Sequence, residues 1–176
     1  MGVYTVKNSK IKNLTILSLL LTLAIIMGYL EAIFPVPMVI PGMKLGLCNL
    51  VIVIVLYQYG YCKAFVITVL RVLIVGLLLM NAAMIAYSLC GAILSLSGMW
   101  ILKRWKCFSV IGISIGGGVL HNIAQIIVAI FLISNLLILY YLPILLVTGM
   151  ITGAMIGVLS KSIMQRLDRI NVKGIS

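Results

Sequence analysis

Six apolar runs separated by short polar breaks fill the chain, at about residues 14–34, 45–60, 64–80, 82–102, 109–133 and 137–162. A bilayer core takes about 20 mostly apolar residues per helix. Its interior offers no water to backbone N–H and C=O groups, so each run must satisfy its own hydrogen bonds as an α-helix. The expected fold class is all-α: a polytopic membrane protein with six transmembrane helices in one compact bundle. Hydrophobic residues make up 64% of the sequence, against roughly 45–50% in soluble proteins. The 176 residues leave no room for a soluble domain, and residues 1–176 read as a single integral membrane domain. Lys7, Lys10 and Lys12 before the first run imitate a signal peptide. The apolar stretch is too long for one and no small-residue cleavage site follows, so it reads as a retained helix.

Charge sets the expected orientation. The chain has 13 Lys and Arg against two acidic residues, Glu31 and Asp168. The basic residues flank the spans, which points to the lipid bilayer rather than to nucleic acid as the partner. Lys and Arg favour the cytoplasmic side. Placing both termini inside puts Lys7, Lys10, Lys12, Lys63, Lys103, Arg104, Lys106, Lys161, Arg166, Arg169 and Lys173 there, eleven of the 13. Only Lys44 falls outside, and Arg71 lies within the third span.

The connection between the first two spans then faces outward. Pro35, Pro37 and Pro41 remove backbone donors and stop helices. Val36, Met38, Val39, Ile40 and Met43 between them make the segment unusually apolar for a loop. It reads as a lid, about residues 35–44, lying at the membrane surface over something it covers.

Small residues let helices approach closely in lipid. Gly149, Gly153 and Gly157 form a four-residue stripe in the sixth span, as do Ala24, Gly28 and Ala32 in the first. Gly112 and Gly116, followed by Gly117 and Gly118, mark the fifth. Ser88, Gly91, Ser95 and Gly98 mark the fourth. Packing within the bundle accounts for such stripes, and any one of them could face a partner subunit instead.

Polar groups within the spans are the candidate binding residues. A charge at the bilayer centre costs at least about 2.5 kcal/mol, so Arg71 must face the interior and find an acceptor. Its planar fork suits a carboxylate or phosphate, and a structural pair with Glu31 or helix carbonyls is the other reading. His121, Asn122 and Gln125 share one helix surface at spacings of three and four. Glu31 and Lys44 either close the lid as an ion pair or face a cavity beneath it, and Asn49 lies a turn into the second span. These seven residues cluster in the outer half or middle of the bundle, which predicts a substrate pocket open to the outside. No second His, Cys or carboxylate has metal-ligand spacing. Cys48, Cys62, Cys90 and Cys107 read as small apolar side chains. No catalytic residue, metal or cofactor is expected.

The series G-Y-L-E, a proline-rich connection, P-G-M-K-L-G-L-C-N-L, L-R-V-L-I-V-G and H-N-I-A-Q resembles, in that order, a bacterial membrane family. The family is described as heptaprenyl diphosphate synthase component I or as Gx transporters, and the resemblance covers nearly the whole chain. It is similar to the substrate-binding S components of energy-coupling factor vitamin transporters. That resemblance implies six helices, a lid between the first two and an outward pocket for a small-molecule substrate. It also implies a transmembrane coupling subunit and ATPase subunits as partners. The A-x-x-x-A docking contact of those proteins is matched here by Ala24-x-x-x-Gly28, with Ala32 a turn further, so the second alanine is replaced. The expected function is a membrane-embedded binding subunit for uptake of a small molecule such as a vitamin or cofactor precursor, in the bacterial cell membrane. The alternative is a non-catalytic accessory subunit of a prenyl diphosphate synthase or quinone system. Prenyl elongation needs aspartate-held Mg²⁺, and one Asp, in a basic tail, cannot supply that. The sequence has no G-x-x-x-x-G-K-[ST] phosphate loop, so ATP-driven uptake would need an ATPase on another chain. A proton-coupled carrier using Glu31 or His121 is a weaker third reading, because carriers commonly carry an internal repeat and none is evident.

Overall fold

A computed structural model describes residues 2–33, 46–79 and 82–173. The lid at 35–44, including Lys44, and the break at Asn81 lie outside the described residues. Among those described there is no strand, and the helices are α1 (Gly2–Ile33), α2 (Leu47–Gln58), α3 (Tyr61–Leu78), α4 (Ala82–Arg104), α5 (Val110–Ile133) and α6 (Leu142–Lys173). A 3₁₀ segment, Leu136–Tyr141, precedes α6. Five helices are long and apolar enough to cross a membrane, and α2 is a shorter apolar one. The chain is a helical membrane protein.

Helix ends follow local chemistry. Ser109 caps α5 by accepting the Gly112 N–H at 3.2 Å, the usual role of a hydroxyl at this position. The Asn135 side chain accepts the Leu137 N–H at 2.9 Å and opens the 3₁₀ turn. Gly46 and Gly60, which flank α2, have φ of 71° and 88°, a region closed to most side chains. The last helix runs to Lys173, well past the sequence-based end near 162. Its polar tail from Lys161 contains no Gly or Pro to stop it before Gly174.

The contacts arrange the helices as a closed ring in the order α1, α3, α4, α5, α6, α2, and α2 also touches α3. α2 is the innermost element. Leu50 to Leu56 are all buried, so it presents almost no surface to lipid. At 12 residues and 1.5 Å per residue it rises about 18 Å, short of the ~30 Å hydrocarbon core. The other helices keep large apolar side chains on their outer faces, among them Leu19, Leu77, Phe131 and Met155. Such exposure would be a liability in water and is the expected face toward lipid.

The tightest seam joins α5 to α6. A side chain at Gly118 would meet the Gly149 carbonyl, and one at Gly153 or Gly157 would approach the Cα of Ile115 at 2.8 Å or of Ile111 at 2.7 Å. The two backbones touch directly, which is why this stripe is glycine. The first-span stripe is also turned inward. Ala24 has 0% exposure, and Gly28 packs on Val75 and Arg71 of α3. This chain's own helices cover the stripe fully at Ala24, while Gly28 and Ala32 are each partly buried.

Basic and aromatic side chains gather at one end, where α2 ends, α3 begins and α4 ends. Lys103 donates to the Leu56 carbonyl at 2.9 Å and lies 4.5 Å from the centre of the Tyr57 ring. Arg104 stacks on Trp100 at 4.5 Å. A cation there satisfies a terminal carbonyl of α2 and favours the negative end of its dipole.

Candidate functional site

A polar cavity lies within the bundle, in the middle and toward the end opposite the basic cluster. All six helices line it: Gly28 and Glu31 from α1, Cys48 and Asn49 from α2, Arg71 and Val75 from α3, Ser88 and Ser95 from α4, His121 and Asn122 from α5, and Thr152 and Ile156 from α6. The free space within it is about 60 Å³, room for a few water molecules or one small polar group. Glycines 117, 118 and 153 form part of the wall, so the α5–α6 seam also shapes the cavity.

Of the seven residues singled out in the sequence, five line this cavity: Glu31, Asn49, Arg71, His121 and Asn122. Gln125 does not. It is 1% exposed between α5 and α4, and its Nε2 has no hydrogen-bond partner. It packs with His121 against Gly91, where a Cβ would come within 3.1 Å of Gln125 Cγ and 2.9 Å of His121 Cε1. Lys44 lies outside the described residues. Asn122 is partly committed, because its Nδ2 donates to the Leu145 carbonyl of α6 at 2.6 Å. It thereby pins α5 to α6 while its side chain reaches the cavity wall.

The charges are connected through Cys48, whose place in an apolar run predicts only a small apolar side chain. Glu31 accepts the Leu47 N–H at 2.6 Å on Oε1 and the Cys48 thiol at 3.5 Å on Oε2. Arg71 Nη1 donates to Cys48 Sγ at 2.9 Å. Cys48 is therefore a polar junction between α1 and α3. Its position at the first turn of α2, beside Asn49, is the signal that could have marked it. Arg71 is 7% exposed and its Nε is buried without a hydrogen-bond partner. Among the described residues no ion pair joins it to Glu31. The carboxylate serves instead as the missing cap of α2, whose N-cap residue Gly46 has no side chain to offer. A negative group is favoured at that end of a helix.

The arrangement sets polar side chains around a guanidinium, walled by small residues. Among the described residues no group of three or more His, Cys, Asp or Glu is placed to hold a metal ion.

No curated relative and no solved structure matches the sequence. The sequence model of one family, described as heptaprenyl diphosphate synthase component I, matches residues 20–163. That stretch contains every residue lining the cavity and all of the α5–α6 seam. Over most of its length, therefore, this chain belongs to the heptaprenyl diphosphate synthase component I family.

Proposed function

We propose that the chain is a non-catalytic membrane subunit that binds a small molecule in the polar cavity for uptake. In this reading a coupling subunit and ATPase subunits on other chains supply the energy. The observation that carries the reading is the cavity itself, built from all six helices around a buried guanidinium. Polar groups inside a membrane bundle are costly to keep and mark ligand or ion pathways. The family's description supports a second reading, an accessory subunit of a prenyl diphosphate synthase or quinone system. Under both readings the substrate and partners are recognised by this chain and transformed or driven by others.

The test is purification from native membranes in mild detergent, with mass spectrometry of copurifying polypeptides and of small molecules released on denaturation. The expected result is a bound small molecule, ATPase and coupling subunits in the complex, and no ATP hydrolysis by this chain alone. Proteoliposomes containing only this chain should accumulate nothing. Accumulation against a gradient would overturn the reading in favour of a carrier. Copurification of a prenyl synthase without an ATPase would favour the second reading.

The same proposal places the protein in the bacterial cell membrane with both termini, and the basic end, in the cytoplasm. Cys62 and Cys107 are exposed at that end, and Asn135 is exposed at the other. A membrane-impermeant maleimide added to intact cells should spare Cys62 and Cys107. It should modify an Asn135→Cys variant in which Cys62 and Cys107 are replaced by serine. Labelling of the two native cysteines before permeabilisation would invert the orientation.

A further inference from the structure

We infer that the cavity's ligand is an oxyanion, a carboxylate or phosphate group whose charge completes that of Arg71. The inference rests on the cavity reading and names the chemistry the cavity selects. The chain has two acidic residues, Glu31 and Asp168. Asp168 is exposed near the far end of α6. Glu31 is turned to α2, with one oxygen on the Leu47 N–H and the other on the Cys48 thiol. It makes no direct ion pair with Arg71 among the described residues, and both groups contact the Cys48 sulfur.

The guanidinium is thus 93% buried with a thiol sulfur as its acceptor and with Nε unsatisfied. Sulfur is a weak acceptor. A buried cation held this way lacks the direct carboxylate contact and the full set of hydrogen bonds that normally offset its desolvation. Hydroxyl and amide groups border the same space: Ser95 Oγ is buried without a partner, and the Asn49 side chain lines the cavity. A planar or tetrahedral oxyanion accepts from the guanidinium fork and from such hydroxyl and amide donors at once. The free space of about 60 Å³ matches a headgroup, so a larger ligand would place only its anionic end here.

The experiment compares the thermal midpoint of the detergent-purified wild type with that of Arg71→Met. Sodium phosphate, sodium pyrophosphate and sodium benzoate are each tested against sodium chloride at equal ionic strength. Methionine fills similar volume without charge. Without added oxyanion, Arg71→Met should melt at the same temperature as the wild type or higher, because it removes an uncompensated buried cation. At least one oxyanion should raise the wild-type midpoint by several degrees over chloride, and the same anion should leave Arg71→Met unmoved. Arg71→Lys should retain part of the shift, since it keeps the charge and loses the fork.

A strongly destabilised or non-inserting Arg71→Met would overturn the inference, because Arg71 would then be holding the fold. So would the absence of any oxyanion shift in the wild type, or an equal shift in both proteins. A copurified neutral molecule whose affinity is unchanged in Arg71→Met would remove the oxyanion and leave the cavity reading standing. Failure to find any ligand that contacts the cavity would remove both.

Discussion

Gly118→Ala should destabilise the protein by about 1–3 kcal/mol, the usual cost of overpacking a tight interior. The added Cβ meets the Gly149 carbonyl oxygen, which is backbone and cannot rotate away. On the other side Gly149 faces Gly118 in turn, with a Cβ there 2.9 Å from the Gly118 oxygen. Relief therefore requires α5 and α6 to separate along the seam. Gly112→Ala in the same helix is the control. Its Cβ would find its nearest neighbours at 3.6 Å or more, an ordinary contact, and alanine is the better helix former by up to about 1 kcal/mol. Thermal unfolding of the two variants should move in opposite directions. Equal tolerance of alanine at both positions would mean that the helices do not meet along this stripe.

Glu31→Ala should cost about 1.5–3 kcal/mol, the range for a hydrogen bond to a charged group. The lost carboxylate leaves the Leu47 N–H without its 2.6 Å acceptor and α2 without a side-chain cap at Gly46. It also frees the Cys48 thiol from its 3.5 Å acceptor, so Cys48 alkylation should accelerate in a background where the exposed cysteines 62, 90 and 107 are replaced. Glu31→Gln keeps an acceptor oxygen and should recover part of the stability. If both variants melt like the wild type and instead weaken ligand binding, Glu31 is a binding group and its contact to α2 is incidental.

Much of this architecture is legible in the sequence, because the bilayer restricts a chain to few solutions. Apolar length places the helices, and the Gly149, Gly153 and Gly157 spacing announces the α5–α6 seam. The pattern cannot say which side of an apolar helix faces lipid, since tails and core are equally apolar. For that reason the inward turn of Ala24 and Gly28 and the near-complete burial of α2 emerge only in three dimensions. At the site, the grouping of Glu31, Asn49, Arg71, His121 and Asn122 follows from their depth in the spans. Their partners do not. A carboxylate and a guanidinium in one pocket read as an ion pair, yet the uncapped N-terminus of α2 claims the carboxylate first. Cys48 escapes notice because a lone thiol in an apolar run carries no pattern. Asn122 looks like a ligand group, and its bond to the Leu145 carbonyl depends on a helix 23 residues away in sequence.

The shortness of α2 has a consequence for the order in which the protein is made. A 12-residue helix cannot cross the bilayer on its own terms, and its buried face needs α1, α3 and α6 around it. Of these helices α6 leaves the ribosome last. The second helix of the chain therefore reaches its final depth only after the sixth has been synthesised. The early hairpin waits in a provisional position, and closure of the ring and completion of the cavity become the same late event.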